Sequence, residues 1–294
     1  MEKRAKKNYW KLPLKIALTL GALYLVYRKI DIEQTLAAIG GANPFWLLLA
    51  LLLFVGSKVT SAFRLNRFFA AEDLQLDQRY NLRLYFIGMF YNLFLPGGIG
   101  GDGYKVYLLN KHYNRPVKGL LMAVFIDRLS GLVSLGILAL LLFLFSSAWS
   151  QLGIWQWLIW AGLVLAYPLS WLALRWFYKK YLPIFHYTNL QSLGVQGLQV
   201  ICAWAILMAL GVEAHYTDYT TLFLVSSVVA VLPFTIGGVG ARELVFIYGV
   251  EFLLIQESTA VAFSVLFFVI TAISSLAGAF LNAEPAKQEP VNDN

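Results

Sequence analysis

Apolar runs of roughly twenty residues, separated by short polar and basic stretches, dominate this chain. About 20 such residues in a helix cross the ~30 Å hydrocarbon layer of a bilayer. Six stretches reach that length: residues 9–27, 44–63, 120–145, 154–176, 190–212 and 258–281. The first is short and holds Lys15, whose stem can snorkel toward headgroups. Two more apolar regions, 82–111 and 219–250, break at glycines in their middles. Their flanking pieces, about ten to fifteen residues long, are too short to cross. Each is predicted to be a re-entrant helical hairpin. A non-helical turn at membrane depth must be buried in protein or line a wet cavity, because lipid cannot satisfy its backbone.

The two breaks share a pattern. Residues 96–105 read PGGIGGDGYK and residues 233–242 read PFTIGGVGAR. Both fit P-x-x-x-G-G-x-G-x-(K/R) without a gap. Three predicted spans accompany each hairpin, and three is odd, so the second unit starts on the opposite face and runs inverted. The expected fold is therefore an all-α integral membrane protein: six spanning helices plus two re-entrant hairpins in an inverted-topology repeat. Residues 1–8 form a basic tail and 9–146 the first unit, with hairpin 82–111. Residues 154–282 form the second unit, with hairpin 219–250, and 283–294 a disordered polar tail. Inverted repeats of this kind place transporter sites near the midplane, at discontinuous helices.

Composition agrees with a membrane location. The 294 residues are 59% apolar and 13% charged, with mean hydropathy +0.66. Soluble domains are about 45–50% apolar and about 25% charged. The net charge of +7 gathers at segment ends, which suits anionic headgroups rather than nucleic acid. With the N-terminus in the cytoplasm, that side collects Lys3, Arg4, Lys6, Lys7 and Lys11, then Arg64, Arg67, Arg79 and Arg83. Lys105, Lys111, Arg115 and Lys118 follow, then Arg175, Lys179 and Lys180. The loops of the other face hold Arg28 and Lys29, with Glu213, Asp218, Glu251 and Glu257. The positive-inside rule thus places both termini in the cytoplasm of a bacterial-type inner membrane. A cleaved signal peptide is the rival reading of the first run; a retained anchor fits better, because the run abuts Arg28-Lys29. Cys202 stands alone, so no disulfide framework exists. His112, His186 and His215 lack metal-ligand spacing, and no metal or cofactor is expected.

The chemistry concentrates at the hairpins. Each second half-helix is predicted to begin just after the glycines, near Gly103 and Gly240, with its amide tip pointing into the membrane. Such a tip carries about half a positive charge and accepts anions. Gly100, Gly101, Gly237 and Gly238 permit the tight turn and clear space for a ligand. Lys105 and Arg242 fall in the first turn, where a cation is unfavourable for the helix dipole unless an anion lies between the sites. A lipid phosphate or pyrophosphate fits, held bidentately by Arg242 and as a point charge by Lys105. Simple helix packing by the glycines and snorkelling by the cations is the plainer alternative. Asp127 and Arg128 lie inside the third span, where ionisable groups cost about 2.5–3.5 kcal/mol each. Adjacent residues project about 100° apart, so each needs its own partner. Lys105 or Arg242 is expected for Asp127, and Asp102 or Glu243 for Arg128. Lys58 and Arg64 are expected to snorkel to the cytoplasmic interface. Asp102 could also cap the half-helix. Gly98-x-Gly100-x-x-Gly103 matches the dinucleotide fingerprint only formally, since no strand precedes it.

The two glycine motifs, the Asp127-Arg128 pair and Gly240-Ala241-Arg242-Glu243 together resemble the lysylphosphatidylglycerol synthase transmembrane-region family, also called flippase-like. The resemblance covers about residues 10 to 282. In the bifunctional synthases of that family, the membrane part moves aminoacylated phosphatidylglycerol across the bilayer, and a separate soluble domain makes that lipid from aminoacyl-tRNA. Other relatives are linked to polyprenyl-linked sugars and to hopanoids, so no particular substrate carries over. This chain looks like the membrane part alone, without synthase activity. The resemblance implies a lipid translocase for an anionic, aminoacylated or polyprenyl-linked lipid. Lys105 and Arg242 would hold its phosphate, and Asp127, Arg128 and Glu243, with Asp102, would form the switching network. No catalytic residue is expected. The alternatives are a membrane-embedded transferase acting on a lipid-linked sugar, or a non-catalytic partner of a lipid-modifying enzyme.

Overall fold

The computed structural model describes residues 32–94, 100–231 and 241–282. The predicted first span, both tails and the hinge positions 95–99 and 232–240, Gly237, Gly238 and Gly240 among them, lie outside the described residues. So do the side chains of Arg242 and Glu243. All regular structure among the described residues is helical: α1 (Ile32–Gly40), α2 (Pro44–Ala71), α3 (Gln78–Phe94), α4 (Gly100–Tyr113), α5 (Val117–Phe143), α6 (Gln156–Phe177), α7 (Phe185–Ala209), α8 (Tyr216–Val231), α9 (Ala241–Gly249) and α10 (Glu257–Leu276), with short 3-10 turns between some of them.

Five helical stretches are long and apolar enough to cross a membrane: Pro44–Ala71, Val117–Phe143, Trp149–Phe177, Lys179–Ala209 and Glu257–Phe280. Local chemistry sets their limits. Asn43 caps α2, its Oδ1 accepting the Phe45 N–H at 3.0 Å, and Pro44 occupies the first turn. There a missing N–H costs nothing. Along α6, Trp157 and Trp176 are both exposed. They stand about 28 Å apart at 1.5 Å per residue, the spacing of the two aromatic belts that flank a hydrocarbon core.

The long helices α2 and α7 run antiparallel. Asn43 N–H donates to the Ala209 carbonyl at one end (2.8 Å) and Phe68 meets Tyr181 at the other, ring centroids 5.8 Å apart. Around this pair the remaining helices form two matching groups. Exchanging α2 with α7, α3 with α8, α4 with α9 and α5 with α10 turns the contact α5–α8 into α3–α10. It likewise turns α5–α7 into α2–α10, α4–α5 into α9–α10 and α2–α5 into α7–α10. Each of these packings is present.

The two short helix pairs open at opposite ends of the bundle. At one end Arg115, just after α4, donates to the Asp73 carbonyl, just before α3, and Lys180 Nζ lies 3.2 Å from Glu72 and 3.3 Å from Asp73. The start of α3 and the end of α4 meet there through Tyr80 and Tyr113, at 6.2 Å. At the other end the Ser147 N–H donates to Asp218 Oδ1 (2.7 Å) in α8, and its Oγ accepts the Leu254 N–H (3.2 Å) beyond α9.

Most apolar packing among the described residues falls into two clusters with a polar layer between them. One cluster gathers Ala50 and Phe54 of α2, Leu135 of α5, Ile206 of α7 and Phe263 and Phe267 of α10. The second gathers Leu65 and Phe68 of α2, Leu120 and Val124 of α5, and Phe185 of α7. Between them in sequence, on the same three helices, lie the buried polar residues Ser57, Ser61, Arg64, Asp127, Ser130, Ser134, Ser192 and Gln196.

Candidate functional site

The polar layer begins with Arg64, in the third quarter of α2. Its sequence position suggested a snorkelling interfacial cation; the structure corrects this. Arg64 is 5% exposed, and its Nε and Nη2 grip Asp127 of α5 at 2.7 and 3.2 Å. Nη1 donates to Ser192 Oγ of α7 at 2.7 Å, and Ser192 lies 2.8 Å from Ser130 Oγ. One guanidinium therefore ties three helices together. The fork matches a carboxylate bidentately, which lysine could not do. Asp127 thus pairs with Arg64 and not with Lys105, which holds Asp102 instead; the side chain of Arg242, the other partner anticipated for it, lies outside the described residues. The packing of α2 against α5 sets Arg64 beside Asp127 directly. Lys58 stands with its Nζ 4.5 Å from the Phe54 ring centroid.

The second cluster centres on Asp102. Helix α4 starts at Gly100 rather than near Gly103, so Asp102 lies inside its first turn and is not its cap. Its Oδ1 is 2.7 Å from Lys105 Nζ, one turn along, and its Oδ2 accepts from Arg128 Nε of α5. Asp127 and Arg128 therefore do project to different partners, as their adjacency requires. Lys105 is 5% exposed, with its ammonium 5.0 Å from the Tyr85 ring centroid. Its stem fills the space left by Gly88, where a Cβ would stand 3.0 Å from the Lys105 Cδ and Cε. Arg128 is different: its side chain is 37% exposed. Both buried carboxylates, Asp102 and Asp127, are thus paired with cations. In a low-dielectric interior such pairing offsets a desolvation penalty of several kcal/mol per ion.

The glycines of the first motif take different roles. A Cβ on Gly101 would overlap the Gly88 carbonyl of α3, so glycine there lets the two short helices touch. The Gly101 N–H donates to Asn92 Oδ1 at 2.8 Å, so this tip amide is already satisfied from within the hairpin. Gly103 is exposed, and a Cβ there would meet nothing within 4 Å. Beside it Tyr104 stacks on Tyr91 of α3, centroids 4.2 Å apart. Gly103, Tyr104 and Arg128 are thus the accessible part of this cluster, while Gly101, Asp102 and Lys105 are its buried support.

A family model described as the lysylphosphatidylglycerol synthase TM region matches residues 13–187 and 183–278. The chain belongs to that family. No curated protein matches it. As a member of the lysylphosphatidylglycerol synthase TM-region family with five helices of spanning length and apolarity, it is a multi-pass membrane protein related to lipid handling. The two matched segments between them take in both groups of helices and both charged clusters.

Proposed function

We propose that this protein is a lipid translocase of a bacterial inner membrane, passing a phosphate-bearing headgroup between two re-entrant hairpins while the lipid tails stay in hydrocarbon. The observation that carries the reading is the arrangement of the short helix pairs: α3–α4 opens at one end of the bundle and α8–α9 at the other. Helices of 17 and 14 residues in the first pair, and 16 and 9 in the second, fall short of a full crossing. The end where α3–α4 opens carries Arg79, Arg83, Lys111, Arg115 and Lys118, and the other carries Glu213, Asp218, Glu251 and Glu257. By the positive-inside rule the first hairpin enters from the cytoplasm and the second from outside. The matching packings of the two groups support an inverted-topology repeat, with the first span and both termini placed as the sequence predicts.

Within this scheme the phosphate is held first by Arg128, the accessible cation, beside Gly103. Lys105 acts behind it, holding Asp102 and so the orientation of Arg128. Arg242 and Glu243, in the matching first turn of α9, provide the corresponding charges of the second hairpin. The proposed role is transport, and the substrate partner is a membrane lipid with a phosphate headgroup. Reconstitution into liposomes with fluorescent phospholipids, read by quenching from one side, tests this. Wild-type protein is expected to make the inner-leaflet label accessible, and Arg128→Gln to slow the process by at least tenfold. Equal rates for empty and protein-bearing liposomes would remove the translocase reading.

A further inference from the structure

Beyond the hairpins, a crevice of about 620 Å³ runs between α5 and α6, with Leu129, Val133, Gly136 and Leu140 on one wall and Leu165, Leu169 and Leu174 on the other. We infer that this crevice binds one acyl chain of a phospholipid from the cytoplasmic leaflet. The two helices approach closely at Gly162, where a Cβ would stand 2.8 Å from Leu140 Cδ1. From there the crevice runs along α6 to Tyr178 at the basic end, with Leu129 on the α5 wall at mid-helix. Sequence explains the opening. Pro168, interior to α6, removes a helical hydrogen bond and crowds the preceding turn, the usual cause of a bend. Gly136 meanwhile leaves the floor open, with nothing within 4 Å of a built Cβ.

Both helices are of spanning length and apolarity, so the mouth of the crevice faces lipid tails. On the α6 side the crevice runs from Gly162 to Tyr178, about 24 Å at 1.5 Å per residue, which reaches from the basic end past the middle of a ~30 Å core. The basic end of the crevice reaches Tyr178, next to exposed Lys179, and Arg175 stands nearby over Trp171 at 5.2 Å. A phosphate above the chain would meet these cations. At its inner wall the crevice shares Leu129, Val133, Ser170 and Leu174 with a smaller pocket that reaches Ser130. Ser130 bonds Ser192, which holds Arg64, so a bound chain lies against the polar layer.

The test uses the full-length protein in nanodiscs containing phosphatidylglycerol with a diazirine near the end of one acyl chain. After irradiation, adducts are expected at Val133, Leu165 and Leu169 at several times the frequency at Val164, an exposed residue of α6 that lies outside the crevice. Gly136→Phe fills the floor without a backbone clash and is expected to remove the crevice adducts while leaving those at Val164. Wild type is also expected to retain one phospholipid through detergent washing in native mass spectrometry, and Gly136→Phe to lose it. Adducts at Val164 as frequent as at Val133, or crevice adducts that survive Gly136→Phe, would overturn the inference. So would a disulfide between two copies carrying Leu165→Cys, which would put a second chain in the crevice. The crevice does not rest on translocation: chain binding without lipid flipping would leave it standing and remove only the translocase.

Discussion

At the residue scale the decisive feature is the buried pairing of Arg64 with Asp127. Removing one partner strands a charge in low dielectric, at a cost of about 3–5 kcal/mol. Asp127→Asn should therefore lower the thermal unfolding midpoint in detergent sharply, and Arg64→Lys should fail to restore wild-type stability, because lysine cannot reproduce the fork. Replacing both by apolar residues of similar volume should recover most of the loss. A midpoint for Asp127→Asn equal to that of wild type would show the pair to be idle. The sequence marked Asp127 and Arg128 as needing separate partners, and the geometry gives each its own. It misled on Arg64, whose expected place was the cytoplasmic interface. The corrective signal was present in spacing: Ser57, Ser61 and Arg64 lie at i, i+4 and i+7, one helix face. Ser130 with Ser134, and Ser192 with Gln196, repeat the i, i+4 interval. A polar stripe on one face of an apolar helix points inward to partners, not outward to headgroups.

At the element scale, the glycine motif works as helix packing on one side and open surface on the other. Gly101→Ala should separate α3 from α4 and lower the unfolding midpoint, because its methyl would overlap the Gly88 carbonyl. Gly103→Ala should leave stability within experimental error, since that position faces open space. Equal destabilisation by the two would contradict this division. The helices themselves were legible because apolar runs of spanning length leave few alternatives. Their ends were less so: α2 and α7 extend beyond the predicted runs into polar sequence, since backbone hydrogen bonding continues wherever tertiary packing covers the helix. The start of α4 at Gly100, ahead of the predicted Gly103, follows from Asn92, which receives the Gly101 amide and so supports an earlier first turn.

At the scale of the whole molecule, the account joins two groups of helices across the antiparallel pair α2 and α7, with a polar layer between two apolar clusters. The proposed repeat has its sequence counterpart in the shared glycine motif. The layer was not visible there, because its members come from three helices far apart in the chain and only packing assembles them. The central claim is that the two short pairs dip into the bilayer from opposite faces. Sided labelling tests it most directly. Single cysteines at Arg83 and His112, the open end of α3–α4, and at His215 and Glu251, the open end of α8–α9, are placed in a Cys202→Ala background. Each is then exposed to a membrane-impermeant maleimide from one side at a time. The account predicts that both positions of the first pair react only from the cytoplasmic side and both positions of the second only from outside. Reaction of the two ends of either pair from opposite sides would contradict it.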